Sequence, residues 1–410
     1  MEVFAQLLLL LIVTRVFGEA AERFGQPASA GEILGGIMLA MAALWFAEHI
    51  PIVTGLIHSQ ALVYTADVAI FFLVFLAGIE MEPRELGRNS AGALAVALGG
   101  VVVPLTAGFA VAWWFLPDSE FRSALALLTG IIMAITAVPA TAKVFEEFNL
   151  LHTRLGRMVL SAALFDDVIG LILLAVLVSV IDTGQAPNLP ALSVLIFKVL
   201  LFFGITLTLG RHVYPRISHS LKATQAAALE FSALAAVGLS YGLLAEALGM
   251  HWIIGAFMAG LFFEPSRVGQ QTYDEIRLIF TAITSGFLAP LFFASIGLRV
   301  DLNAITAVPI FLASLLIVAL FSKVAGAGLP ALWLGMPRRE ALSVGVGMSA
   351  RGAVGFVVLS IAYDTGLFER INRTDPETAH LFSVLILVAV ITTMLTPLVL
   401  RRLLSTERDE

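Results

Sequence analysis

The chain has 410 residues, of which 59% are hydrophobic and 13% charged, with a mean hydropathy of +0.96. A soluble globular protein carries roughly 25% charged residues, so a soluble fold is excluded and an all-α polytopic membrane protein follows. Cysteine is absent, which excludes disulfides, thiolate nucleophiles and iron–sulfur clusters, and the net charge of −6 matters less than where the charges fall.

About thirteen hydrophobic segments are predicted in chain order, near 2–22, 29–47, 62–81, 90–115, 121–146, 153–181, 191–213, 223–247, 250–263, 272–298, 306–333, 340–363 and 379–402. The first holds the apolar run Val3–Phe17, but Glu2 stands where a signal peptide would be basic, so it reads as a retained helix. The second and ninth are short and glycine-bearing, which suits partial or tilted spans. The fifth is interrupted by Pro139, flanked by Thr136 and Thr141. Proline removes one backbone donor and displaces a carbonyl, and threonine hydroxyls re-satisfy the freed groups.

The sixth segment carries adjacent acids, Asp166 and Asp167. An ionised carboxylate at the bilayer centre costs ~3 kcal/mol, so an intramembrane acid signals function. Two in succession repel each other and favour retaining a proton or capturing a cation. The eleventh segment carries Lys323 near its middle, too deep to snorkel. A buried ammonium needs a carboxylate partner or gives up its proton, and the deepest acids are Asp166 and Asp167. Successive helical residues point about 100° apart, so one aspartate can face Lys323 while the other faces a cavity. The twelfth segment places Gly345, Gly347, Gly352 and Gly355 around Ser349 and Arg351, a second helix interruption. Asp67, Glu80, Glu230 and Glu246 fall within or near spans, Glu80 and Glu246 at segment ends. His49, His58 and His251 lie near outer boundaries without metal-ligand spacing, so no resident metal or cofactor is expected.

Connections alternate in charge. One side collects most of the basic residues, from Arg15 and Arg23 to Arg401, Arg402 and Arg408; the other receives Arg122, Arg299, Arg370 and Arg373. The positive-inside rule then places the C-terminus in the cytoplasm, and an odd span count places the N-terminus outside. The chain also echoes itself. Glu-Ile-Leu-Gly-Gly-Ile-Met-Leu-Ala (32–40) matches Trp-Ile-Ile-Gly-Ala-Phe-Met-Ala-Gly (252–260), and residues 72–81 match 291–300. The second segment thus maps to the ninth and the third to the tenth, an odd offset that inverts one copy. Inverted repeats with a midplane site between broken helices are an architecture of secondary transporters. The expected organisation is one transporter unit over 1–410, with repeats at 29–181 and 223–402 and a linker helix at 191–222. The same mapping pairs the two interrupted segments, the fifth and twelfth. An intramembrane aspartyl protease would draw one acid from each of two helices, and a cation channel would need a continuous polar pore, so neither fits well.

Phe-Leu-Ala-Gly-Ile-Glu (75–80), Asp-Asp-Val-Ile-Gly-Leu (166–171), Gly-Met-His-Trp-Ile-Ile-Gly-Ala-Phe-Met-Ala-Gly-Leu (249–261), Pro-Leu-Phe-Phe-Ala-Ser-Ile-Gly-Leu (290–298) and Gly-Met-Ser-Ala-Arg-Gly (347–352) occur in this order. Together they resemble the second branch of the cation–proton antiporter superfamily, particularly its bacterial sodium–proton antiporters, over nearly the whole chain. The resemblance implies a homodimer in the bacterial inner membrane. It implies a dimerisation domain and a six-helix core, here 62–81, 121–146, 153–181, 272–298, 340–363 and 379–402. Two broken helices would cross in that core, which would carry out elevator-like transport. Asp167 matches the essential carboxylate for cation and proton, Asp166 its neighbour, and Lys323 the lysine paired with it in electrogenic members. Thr136, Thr141, Pro139, Ser349 and Arg351 are expected to support the crossover or the cation. Sodium draws its oxygens from carboxylates, carbonyls, hydroxyls and water. Monovalent cations, protons and membrane lipid are the expected partners, with no nucleic acid and no enzymatic activity. A potassium–proton antiporter is the near alternative. Relatives often have Arg-Gly-Glu where this chain has Arg351-Gly352-Ala353, which leaves the partner of Arg351 to be found.

Overall fold

The computed structural model describes residues 2–45, 55, 59–81, 90–136, 138–151, 153–183, 189–221, 227–368 and 375–405. His49, His58, Arg370, Arg373 and Arg408 lie outside them. Inside lipid each backbone polar group needs a partner in its own segment, which leaves the helix as the natural form for these apolar runs.

In chain order the main helices are α1 (Glu2–Arg23), α2 (Ala28–Trp45), α3 (Gln60–Glu80), α4 (Ser90–Phe115), α5 (Arg122–Ala134), α6 (Val138–Glu147), α7 (Arg154–Thr183) and α8 (Leu189–Leu221). They continue with α9 (Ala227–Ala247), α10 (Trp252–Leu261), α11 (Gln270–Leu298, with a π turn at Thr284–Leu288), α12 (Pro309–Trp333), α13 (Arg338–Gly347), α14 (Ala353–Asp364) and α15 (Pro376–Ser405). Among the described residues eight helices are long and apolar enough to cross a membrane, and α2, α5, α10 and α14 contain shorter apolar stretches. The two interrupted segments are each two half-helices, α5–α6 and α13–α14. Pro139 occupies the first turn of α6, where its missing N–H would have had no helical acceptor in any case. α8 runs to Leu221, past the expected end at 213.

The chain forms two compact units. One comprises Met1–Leu11, His58–Arg84 and Pro187–Ser295. In it α3 packs on α10 through Gly78 and Gly260. A methyl on Gly78 would strike the Phe257 carbonyl, and one on Gly260 the Phe75 carbonyl. Phe75 stacks on Phe280 with centroids 4.9 Å apart, and Tyr273 donates to the Ile79 carbonyl at 3.0 Å. Glu80 lies 3.8 Å from Arg277, an interfacial ion pair, consistent with its place at a segment end.

The other unit comprises Ile12–Ile57, Glu85–Ala186 and Ile296–Glu410. Here α4 packs on α12 and α5. Gly99 and Gly326 face each other, and a side chain on either would strike the other's carbonyl. Gly130 meets the Leu105 carbonyl in the same way, and Gly345 that of Val324. α4 and α12 join the broken helices, while α3 and most of α11 belong elsewhere. The reason is physical: Lys323 lies on α12, and its charge has to be buried beside an acid. Gly99→Ala is expected to lose about 1–3 kcal/mol by overpacking. Gly204→Ala, a helical position with open space around it, should gain about 0.5–1 kcal/mol from helix propensity. Thermal unfolding of both purified variants in detergent compares the two directly.

Candidate ion-binding site

Ending α5 at Ala134 leaves its last four carbonyls without helical donors, at the negative end of the helix dipole. Each is satisfied in a specific way. The Ile135 amide takes the Ile131 carbonyl at 3.1 Å as the chain turns extended. Arg351 Nε donates to Ile132 at 3.2 Å and Nη2 to Met133 at 2.9 Å. Lys323 Nζ donates to the carbonyl of Ala134. Two buried cations thus close the helix end, and its partial negative charge offsets part of their desolvation.

Arg351 is the missing-partner case raised by Ala353, and the structure resolves it without a carboxylate. Its guanidinium also donates to Ser349 (3.0 Å) and Ala319 (3.1 Å), so its bonds reach backbone carbonyls on α5, α12 and the second break. Thr393 on α15 fixes the arginine backbone, accepting from its amide at 3.0 Å and donating to its carbonyl at 2.6 Å. The second interruption is closed by neutral groups. The Met348 amide takes the Val344 carbonyl, the Ser349 hydroxyl takes Gly345, and the Ser349 amide takes Val346. Thr141 on α6 donates to Gly347. The Thr141 hydroxyl is therefore spent on tying the two broken helices together. Gly347 allows that approach, since a side chain there would press on the Thr141 methyl. Arg351→Lys keeps the charge but not the planar fork. At about 1–3 kcal/mol per stranded carbonyl, it should lose 2–4 kcal/mol, roughly, in chemical unfolding.

Asp166 and Asp167 lie on α7 in this same unit. Asp166 is 1% exposed and pairs with the fully buried Lys323, Nζ to Oδ1 at 3.3 Å. Its second oxygen, Oδ2, is buried with no hydrogen-bond partner among the described residues, as is Thr136 Oγ1. Thr136 approaches the Asp166 carboxylate from the break between α5 and α6. Asp167 points differently. It is only partly buried, and no described side chain forms an ion pair with it. One acid is thus committed to the lysine, and its neighbour has no ion-pair partner among the described residues, with the Thr136 hydroxyl close to the pair. Such a set of hard oxygen donors suits a small monovalent cation or a proton. Thr393 and the carbonyls of Ile132, Met133 and Ala319 had no signal in the sequence reading. The run Ile-Thr-Thr-Met-Leu-Thr (391–396) marks Thr393 only as one of several apolar-helix threonines.

Residues 7–406 match the family model described as sodium/hydrogen exchanger, transmembrane. The chain belongs to the sodium/hydrogen exchanger family. It is therefore a multi-pass membrane antiporter and not an enzyme, which removes the intramembrane protease alternative. Among similar proteins, the Na(+)/H(+)-K(+) antiporter GerN of Bacillus cereus is 28% identical over 401 residues, covering 98% of this chain and 96% of that one. The Na(+)/H(+) antiporter of Enterococcus hirae is 28% identical over 404 residues, covering 98% of each. Cation/H(+) antiporter 15 of Arabidopsis thaliana is 30% identical over 405 residues, which span 96% of this chain but 47% of the plant protein. The structure of the sodium proton antiporter MjNhaP1 from Methanocaldococcus jannaschii superposes with a TM-score of 0.72 at 17% identity, covering 98% of this exchanger and 96% of that chain, a likeness of fold.

Proposed function

We propose that this exchanger moves sodium against protons at Asp167, with Asp166, Thr136 and Lys323 as its immediate partners. The observation that carries the reading is the asymmetry of the aspartates: Asp166 is held by Lys323 at 3.3 Å, while Asp167 is left for the cargo. Proton and cation compete for one carboxylate, so loading one expels the other. Replacing a proton on Asp167 by a sodium ion leaves the charge of the site unchanged, so one-for-one exchange would be electroneutral and an electrogenic cycle needs a second proton from another group. Lys323 is that group: when the cation draws Asp166 toward itself, the ammonium loses its counter-charge and releases a proton. Exchange is then electrogenic. Potassium is the second cargo to measure, because the similar protein GerN is named for sodium and potassium together.

The wider architecture proposed is thirteen spans in inverted repeats, counting α5–α6 and α13–α14 as one span each. Paired contacts support the repeat. Gly78 on α3 meets α10 at Phe257, and Gly297 on α11 meets α2 at Ile33; Gly130 on α5 meets α4, and Gly345 on α13 meets α12. The repeat maps each member of such a pair onto the other. A homodimer in the bacterial inner membrane, the C-terminus in the cytoplasm and elevator-type alternating access complete the reading, on the family likeness and the distribution of basic residues. Reconstituted vesicles holding a pH gradient provide the test. Sodium or lithium should collapse the gradient, and a voltage clamp should change the rate; proton movement with none of sodium, lithium or potassium would overturn the proposal.

A further inference from the structure

The far end of α6, away from the aspartates, borders a cavity of about 200 Å³. Its walls include Glu22 at the end of α1, Gln26, Ala28 and Ser29 at the turn into α2, Lys143 on α6 and Arg401 on α15. All of them belong to one compact unit. The α1–α2 turn is built around Gly25, at φ +68, with the Gln26 amide bonded back to Ala21 and the Gly25 amide to Glu22. A side chain on Gly25 would occupy the place of the Arg401 guanidinium. Arg401 gives Nε and Nη2 to Glu147 at 3.0 and 2.9 Å. Its remaining nitrogen, Nη1, is the atom closest to Gly25.

Three donor types converge on this cavity. Lys143 is held only loosely, 3.5 Å from Glu22. Arg401 contributes Nη1. Ala28 and Ser29 open α2, where first-turn amides have no helical acceptor and the dipole is positive. A second observation points to a ligand: Gln26 is 6% exposed, lines the cavity, and its Oε1 has no hydrogen-bond partner among the described residues. A monovalent cation wants several oxygens, and the walls offer it Glu22 and the Gln26 oxygen against two cations, Lys143 and Arg401, and a positive helix end, so the lining is net positive. An anion meets the donors, and a hydroxyl on the same ligand satisfies Gln26. We propose that this cavity binds a phosphate group that also presents a hydroxyl donor. Free phosphate has this chemistry, as does the headgroup of phosphatidylglycerol, whose glycerol supplies the hydroxyl. Bound there, the group would bridge Lys143, Arg401 and the start of α2. It would anchor α6, whose opposite end follows Thr136 at the aspartate pair.

The test is thermal unfolding of the full chain in detergent, titrated with inorganic phosphate or sulfate at fixed ionic strength. Sulfate matches phosphate in shape but has no proton to give Gln26 at neutral pH. Phosphate should stabilise saturably and better than sulfate. Lys143→Gln should weaken the apparent affinity about tenfold, the loss of one charge-assisted bond, and Gln26→Leu should erase the preference over sulfate. A second arm compares the chain in phosphatidylglycerol-containing and phosphatidylcholine vesicles. Stabilisation there that depends on Lys143, with free phosphate silent, assigns the site to the headgroup. No stabilisation in either arm, or stabilisation that both variants leave unchanged, overturns the proposal. The readout is unfolding, so this result and the exchange assay succeed or fail independently.

Discussion

Replacing Lys323 with methionine should destabilise the protein by about 3–5 kcal/mol, the usual consequence of stranding one member of a buried ion pair. The loss has two sources. Asp166, 1% exposed, is left as an uncompensated buried carboxylate, and the carbonyl of Ala134 loses its donor at the end of α5. Adding Asp166→Asn to the same chain should recover much of the loss, because the penalty lies in the unpaired charge rather than in the pair's net attraction. A double-mutant cycle by chemical unfolding in detergent checks this. If the double variant is as unstable as the two single losses summed, the pair is not coupled and the site geometry is misread. The same single variant should keep cation-driven proton movement but lose its response to voltage, since the second proton has no carrier left. Voltage-sensitive exchange in Lys323→Met would remove the lysine from the transport cycle.

Asp167→Asn should have the opposite profile. Exchange is expected to fall at least 100-fold, about 2.8 kcal/mol in the transport barrier by the tenfold-per-1.4 kcal/mol rule, while stability holds or rises. No described side chain pairs with Asp167, so neutralising it strands nothing and removes a repulsion from Asp166. Asp166→Asn would instead leave the Lys323 ammonium without its carboxylate and cost stability. Proton-flux assays beside melting curves for the two asparagine variants separate the roles. Normal exchange by Asp167→Asn would mean that the cargo carboxylate is elsewhere.

The parts of this site that could be read from the sequence are those that cost energy in lipid. Asp166, Asp167 and Lys323 stand out because an apolar segment does not carry charge without a reason, and helical geometry already allowed one aspartate to face the lysine. The two breaks were legible for the same reason, since Pro139 and the glycines around Arg351 conflict with their segments. What the sequence concealed is what apolar residues do through their backbone. Arg351 lacks a carboxylate because its partners are the carbonyls of Ile132, Met133, Ser349 and Ala319, and a carbonyl leaves no trace in residue identity. The grouping of α4 and α12 with the broken helices was hidden likewise. It rests on close contacts of Gly99 with Gly326, Gly130 with Leu105 and Gly345 with Val324, glycines among many in helices of similar composition.

The closing of α5 also bears on how the protein is made. Its last carbonyls wait for Lys323 and Arg351, and the arginine's backbone in turn waits for Thr393, so the first break cannot be completed until almost the whole chain has left the ribosome. A nascent chain that stops before α12 carries a half-helix with unsatisfied carbonyls inside lipid, a species disfavoured there. The candidate ion-binding site is thus also the last piece of the fold to be fastened. Premature termination before α12 should yield a molecule unable to close α5 at the first break, with these carbonyls left without donors.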